Sequence, residues 1–470
     1  MPFCHTNLVT GLPFDWSAEE AGPLTERLVA ALRTALRTGR LAVGDELPPT
    51  RVVAVELGIS RWVVTQAYER LTAEGWFDAR AGSGTTVART ATRREPFIAA
   101  PGTTAAAPDW DLTPTLPDLS SFPRAAWRSA YGRALNTLEN HAFGYPASGG
   151  DAFLREQLAG YLRRARGIEA QPDDVVITRG TTQGLALLCR VLRQLGHADI
   201  LMEDPGWPRA ALVAQNAGLG RVAVPVDEHG LRVDLASTTT ATVAFVAATH
   251  QYPTGVPLSP ARRTDLLRWA REGNKLIIED DYDAEFRYDR KPVGALAALD
   301  PTQVAYLGST SKTLAPTLRL GWLVVQGSLR RHVQALLEAE ASTPAGLEQR
   351  TLATLLADGA YERHLRKMRR VYQRRRTAMV AALRSALPDV QISGLDAGLH
   401  ILVLLPGNVD EKALQAQALR LGASVTGLST CRLSAPGPPG LVIGYGNVKE
   451  AQAPLIAELL AVALGRRVAV

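Results

Sequence analysis

The chain has 470 residues, enough for two to four domains. Apolar residues make up 46% and charged residues 21%, the balance of a globular protein with a sizeable core, and the net charge of +6 permits a nucleic-acid partner without requiring one. Three widely spaced cysteines, Cys4, Cys189 and Cys431, argue against a disulfide or zinc framework, so no metal is expected. The N-terminus lacks the basic start and apolar core of a signal peptide, and runs such as ATVAFVAA are too short to span a bilayer; a soluble cytoplasmic protein with no membrane partner is expected.

Residues 18–88 read as a first domain. LTERLVAALRTALRTG carries an apolar helical stripe at Leu24, Leu28, Val29, Leu32 and Leu36, closed by Gly39. A turn, GDELPPTR, follows, with Thr50 placed to cap a short helix that Gly58 ends. Ser60 is placed to cap a third helix, RWVVTQAYERLTAEG, stopped at Gly75. Two β-prone runs, WFDAR and TTVAR, are joined by AGSG. This is the order of a winged helix-turn-helix. Arg51, Ser60 and Arg61 sit at helix N-termini, where base edges and phosphates are met, and Gly82, Ser83 and Gly84 let a wing approach a phosphate. The acids Glu56, Glu69, Glu74 and Asp78 offset the arginines, so composition alone does not decide for DNA. The GxxxxGDxLPxxR turn, the LGxSR entry, the AYxxLxxEG exit and the GSGTxVA wing resemble the GntR-type winged helix.

Residues 89–109 are rich in Ala, Thr and Pro and read as a linker. From residue 110 to 470, apolar runs alternate with helical stretches: DVVITRG, DILMED, RVAVPV, TVAFVAA, KLIIED, VAYLG and LGWLVV are strand candidates. This alternation predicts an α/β fold with a mostly parallel sheet, whose ligands bind at the carboxyl ends of the strands. Those ends carry Gly180, Thr181 and Thr182; Trp207; the segment THQYPTG; the acids Asp280 and Asp281 with Tyr282; and Lys312 with Ser309, Ser311 and Arg319. A lysine there can form an imine with an aldehyde, and the hydroxyls and guanidinium can hold a phosphate. The set matches pyridoxal 5′-phosphate, which needs a carboxylate on its pyridine nitrogen, a ring to stack on and a donor to its phenolic oxygen.

The segments GYPASGGDAFLRE, EDPGWP, HQYPTG, IIEDDYDAEFRY and STSKTLAPTLRLGW resemble the fold-type-I aminotransferases. With the winged helix in front, the whole chain resembles the MocR/GabR-type transcription regulators. The resemblance implies a large domain at about 140–360 and a small α+β domain at about 361–470. It implies that Lys312 forms the internal aldimine, that Asp280 (or its neighbour Asp281) faces the pyridine nitrogen, that Tyr282 reaches the phenolic oxygen and that Trp207 stacks on the ring. Gly180, Thr181, Thr182, Ser309, Ser311 and Arg319 would surround the phosphate. Tyr252 stands where aminotransferases usually have Asn, leaving a contact for His250 or Gln251 to fill, and Leu441 is read as standing where many relatives carry a carboxylate-binding arginine. Arg209 and Arg432 remain as partners for an amine or amino-acid effector. The expected protein is a homodimeric regulator binding double-stranded operator DNA, with an active aminotransferase as the alternative. The basic run from Glu362 to Arg376 is expected to be a solvated or intersubunit helix.

Overall fold

The computed structural model describes residues 16, 22–80, 84–89, 108–288, 293–340, 342–434 and 436–466. The chain divides into two compact units, residues 1–105 and 106–470. Most of the segment read as a linker, and Gly82 and Ser83 of the wing, lie outside the described residues.

In the first unit, helix Leu24–Thr38 buries Leu28, Val29, Leu32, Ala35 and Leu36, while Leu24 stays exposed. Gly39, at φ 75°, takes the left-handed turn that ends it. Helix Thr50–Leu57 departs from expectation at its start: the cap position is Pro49 and Thr50 is already helical. The ring of Pro49 fixes its own φ, so the turn into the helix falls one residue early. The hydroxyl of Thr50 instead accepts from Arg61 Nε at 3.3 Å. Helix Arg61–Ala73 is capped as expected, with the amide of Val63 donating to Ser60 Oγ at 3.4 Å. Strands Phe77–Arg80 and Gly84–Val87 pair antiparallel, Phe77 against Val87. A third strand, Glu46–Leu47, pairs with Gly84–Val87. It sits inside the stretch read as a turn, too short for any alternation to reveal.

The second unit is built on an eight-stranded sheet. Its order is Val175–Thr178, Gly321–Val324, Val304–Ser309, Leu276–Asp280, Val243–Val246, Asp199–Asp204, Gly220–Asp227 and Gly230–Leu231. Pairings are parallel from Val304–Ser309 through to Gly220–Asp227. Gly321–Val324 runs against both its neighbours, and the short edge strand is antiparallel. The inner strands are buried on both faces, which explains why they read as near-continuous apolar runs. A second, antiparallel sheet joins Gln391–Ser393, His400–Leu404, Gly440–Gly444 and Thr426–Gly427. Trp110–Asp111 pairs with Ala423–Ser424, so the start of this unit is built into its C-terminal layer. Helix Ala360–Ala386 buries Tyr361, Leu365, Met368, Tyr372, Met379 and Leu383, and leaves Arg363, Arg366, Lys367, Arg370 and Arg374 exposed. Among the described residues no helix is long and apolar enough to cross a membrane.

Candidate functional site

The parallel strands share one carboxyl edge, and the antiparallel strand Gly321–Val324 begins there. Gly321 lies opposite Ser309 on one side and Thr178 on the other. That register brings Gly180 to Thr182, Ser309 to Lys312 and Arg319 to one corner. The backbones approach closely: a Cβ on Gly321 would lie 2.6 Å from Gly180 Cα. Gly180, at φ 97°, leads helix Thr181–Gln194, whose first N–H groups have no partner within the helix. Ser309 is buried and Ser311 half-buried, with the amide of Ser311 donating to Ser309 Oγ at 3.1 Å. Arg319 is exposed at φ 51°, a left-handed conformation uncommon outside glycine and found preferentially at functional sites. This corner offers backbone donors, hydroxyls and a guanidinium to one anion.

The run Glu279, Asp280, Asp281 alternates across the sheet as a strand must. Glu279 accepts from the amides of Leu296 and Ala297 at 2.9 and 3.0 Å. Asp281 forms a buried ion pair with Arg166 at 2.6 Å and accepts from Tyr306 Oη at 2.8 Å. Asp280 points the other way, into a cleft lined also by Glu203, Trp207, Phe245 and Tyr252. Its Oδ1 is buried without a hydrogen-bond partner. Burial first, then the charges of Asp281 and Asp283, push this carboxyl up to about 8, with Lys312 opposing. Of the two acids the sequence left open, Asp280 is therefore the one available to a ligand, and Asp281 is engaged in structure. Lys312 lies half-buried in the turn after Val304–Ser309. Burial lowers its pKa, against the pull of Asp283 and Asp280, which favours the neutral, nucleophilic amine.

The other predicted residues divide. Trp207, half-buried at the head of helix Pro208–Asn216, and Tyr252 both line the cleft. Tyr282 is buried, its hydroxyl 3.1 Å from His250 Nδ1. Gln251 has little left to give a ligand: its amide donates to Pro205 O at 2.8 Å and its carbonyl accepts from Thr254 N and Oγ1 at 3.1 and 2.6 Å. Arg209 is exposed on its helix, whereas the half-buried Arg432 donates to Pro438 O at 3.0 Å. The reading of Leu441 needs correction. Leu441 belongs to the main core, while its neighbour Val442 packs with Leu402, Leu428 and Cys431, the cluster that Tyr252 joins. Neighbouring strand residues face opposite ways, so Val442, not Leu441, is on the side toward Tyr252. The side toward Tyr252 is apolar either way. Sequence reasoning missed Glu203, which burial raises to about 7. Its place next to the strand end, one residue before Asp204, was the available signal.

In the first unit Arg51, Ser60 and Arg61 are exposed at the N-termini of their helices. The acids that offset the arginines are partly spent elsewhere. Glu74 pairs with Arg33, Glu26 with Arg70, and Asp78 with Arg80. The pairs on Arg70 and Glu74 sit toward the far end of the helix that Arg61 opens, about 14 and about 20 Å along it at 1.5 Å per residue. Gly84 begins its strand at φ 85°. Trp62, missed in the sequence, is 67% exposed beside Arg61. A large apolar side chain left in water at a helix start is a signal only the structure provides.

The geometry thus joins, in one chain, a winged helix and an aminotransferase-like sheet with a lysine, an acid and an anion corner on its rim. Residues 24–87 match the family "Bacterial regulatory proteins, gntR family" and residues 118–445 the family "Aminotransferase class I and II". The chain belongs to the GntR-family transcription regulators that carry an aminotransferase class I and II domain. It is 33% identical over 447 residues to the HTH-type pyridoxine biosynthesis transcriptional regulator PdxR of Corynebacterium glutamicum, covering 94% of this chain and 96% of the relative. It is 32% identical over 448 residues to the probable rhizopine catabolism regulatory protein MocR of Rhizobium meliloti, covering 91% and 90%. Among solved structures, an archaeal alanine:glyoxylate aminotransferase is similar at a TM-score of 0.70 and 26% identity, over 75% of this chain and 89% of that one. The multiple substrate aminotransferase of Thermococcus profundus is similar at 0.70 and 26%, over 76% and 91%.

Proposed function

We propose that this regulator holds pyridoxal 5′-phosphate in its aminotransferase-like domain and that the cofactor itself is the signal passed to the operator. The observation that carries the reading is Asp280: a buried carboxyl oxygen without a partner, facing a cleft shared with Trp207. A pyridine N–H is the donor such an oxygen lacks. Lys312 would hold the aldehyde carbon, Trp207 the ring face, and Gly180, Thr181, Thr182, Ser309, Ser311 and Arg319 the phosphate. When bound, the cofactor supplies an electron sink. The chain's own part is to orient it, keep Asp280 on its nitrogen and exclude water from the ring.

The apolar face of Val442 speaks against an amino-acid effector, because a carboxylate buried there would lack a charge partner at a cost of several kcal/mol. Arg209 is the side chain left to provide one. The name of the Corynebacterium glutamicum relative points the same way, toward vitamin B6 as the regulated quantity. Titrating pyridoxal phosphate into cofactor-free protein on its own upstream DNA is expected to change operator affinity or footprint with no amino acid added. A change seen only with an amino acid would overturn this and make Arg209→Ala the next variant. Sustained exchange between an amino acid and a keto acid would favour the alternative, a working aminotransferase, which the intact Lys312 and Asp280 permit.

Operator DNA as the partner implies a cytoplasmic protein. Arg51, Ser60, Arg61 and the wing would meet the duplex, with Trp62 offering apolar contact to a thymine methyl. Arg51→Ala or Arg61→Ala is expected to weaken operator binding by about 1–3 kcal/mol if the side chain reads a base, with cofactor loading unchanged. Unaltered gel shifts for both variants would refute the assignment. Phe143 and Tyr145 are largely exposed in one short segment, which supports a second copy of the chain covering it. Sedimentation equilibrium is expected to give twice the chain mass, and a monomer would exclude it.

A further inference from the structure

Behind Tyr282 lies a buried pair that the proposed cofactor contacts do not use. His250 Nδ1 is 2.9 Å from Asp283 Oδ2, 3.2 Å from Asp283 Oδ1 and 3.1 Å from Tyr282 Oη. The His250 and Asp283 side chains are 3% and 2% exposed. The seat is built for the imidazole. Gly398 stands at φ 74°, and a Cβ there would overlap His250 Cε1 and crowd Asp283 Oδ2. Gly255 stands at φ 72°, where a Cβ would lie 3.3 Å from His250 Nε2. The ring of His400 lies 5.1 Å from that of His250.

The chemistry of the partners sets the hydrogen-bond directions. An ionised carboxylate only accepts, so the proton shared with Asp283 belongs to His250 Nδ1. Tyr282 Oη lies 3.1 Å from the same nitrogen, which with its proton on Nδ1 has no lone pair to offer the phenol. The phenol oxygen can accept from it but cannot donate to it, and the Tyr282 proton is left for an acceptor elsewhere. Beside Tyr282 lie Asp280 and Tyr252, both on the cleft wall. We propose that Asp283 and His250 are positioning residues that keep Tyr282 a hydrogen-bond donor toward the occupant of the cleft. This rests on the reading that pyridoxal phosphate occupies it, where the acceptor would be the phenolic oxygen. The pair also accounts for His250 at a place where no direct cofactor contact is needed.

The test is a double-mutant cycle read by the visible absorbance of the cofactor-loaded protein against pH. The charged and titratable groups around this corner are Asp280, Asp283, Glu203, Tyr252, His400 and Lys312. A donor to the phenolic oxygen stabilises its full negative charge and so lowers the pKa of the absorbance change. Tyr282→Phe is therefore expected to raise that pKa by roughly one to two units, the loss of one hydrogen bond to a charged oxygen. Asp283→Asn acts in two ways. It removes a charge that raises Lys312, which lowers the pKa, and it frees His250 to take its proton on Nε2 and accept from Tyr282, which raises it. In the Tyr282→Phe background only the first effect remains. The shift caused by Asp283→Asn is thus expected to differ between the two backgrounds by roughly one to two units, upward where Tyr282 is present. An identical shift in both backgrounds, or no shift from Tyr282→Phe, overturns the proposal while leaving the cofactor reading intact. A wild-type protein that stays colourless overturns both. If Asp283→Asn does not fold, a neutron structure of the loaded wild type decides: a deuteron on His250 Nδ1 and the Tyr282 deuteron turned away from His250 support the pair, and a bare Nδ1 refutes it.

Discussion

Lys312→Ala protein is expected to bind no pyridoxal phosphate covalently, whereas the wild type gains an imine absorbance band and borohydride fixes the cofactor to it. The reasoning starts from burial. Lys312 emerges from a strand buried along its whole length, and burial lowers its pKa so that more amine is neutral near pH 7 than on a surface lysine. A neutral amine at the carboxyl edge, with an anion corner beside it, is arranged to capture a phosphorylated aldehyde. Alanine removes the nitrogen and leaves the corner of Gly180, Thr181, Thr182 and Arg319 in place. Weak, reversible binding is therefore expected to survive while the covalent link is lost completely. Mass spectrometry of borohydride-treated protein reads this directly, with the added mass on the Lys312 peptide of the wild type and absent from the variant. Equal covalent yield in both proteins, or labelling of another lysine, would remove Lys312 from the role.

Much of this arrangement is legible in the sequence alone. The seven strand candidates of the large sheet are strands because strands buried on both faces write themselves as apolar runs, and the strand-end rule then places Trp207, Asp280 and Lys312 on one rim. What stayed illegible was side-chain direction. Whether Asp280 or Asp281 faces the ligand depends on which face carries Arg166, a residue more than a hundred positions earlier in the chain. That Val442 and not Leu441 faces Tyr252 is invisible in the sequence, because the short strand contains no polar residue to betray its inner face. The Thr50 cap slipped by one residue because Pro49, not a hydroxyl, sets that turn. Glu203 and the His250 and Asp283 pair were hidden because nothing in a sequence says that a polar side chain will be buried against another element.

Asp280 and Asp281 are adjacent carboxylates, and replacing each by asparagine is expected to act on the cofactor-free protein with opposite sign. Asp281→Asn breaks the buried pair with Arg166, whose guanidinium also donates to Thr249 Oγ1 at 3.0 Å and to Val293 O at 3.0 Å. Arg166 remains charged in nearly dry surroundings, and a buried charge stripped of its partner costs about 3–5 kcal/mol. Asp280 behaves differently because no charge is paired with it. Its carboxyl is held up to about 8 in the folded chain, far above the ordinary aspartate value near ~3.9. The folded state therefore binds a proton that the unfolded state releases. That contribution is fully present below about pH 4 and is lost as pH rises toward about 8. Asp280→Asn cannot ionise, so its stability should fall less over the same window and should match or exceed the wild type at the alkaline end. Urea unfolding of the two cofactor-free variants at pH 5 and pH 8 measures both effects. Equal losses from the two substitutions would mean that Asp280 is paired in solution, and the cleft would then lack its acceptor for a pyridine nitrogen.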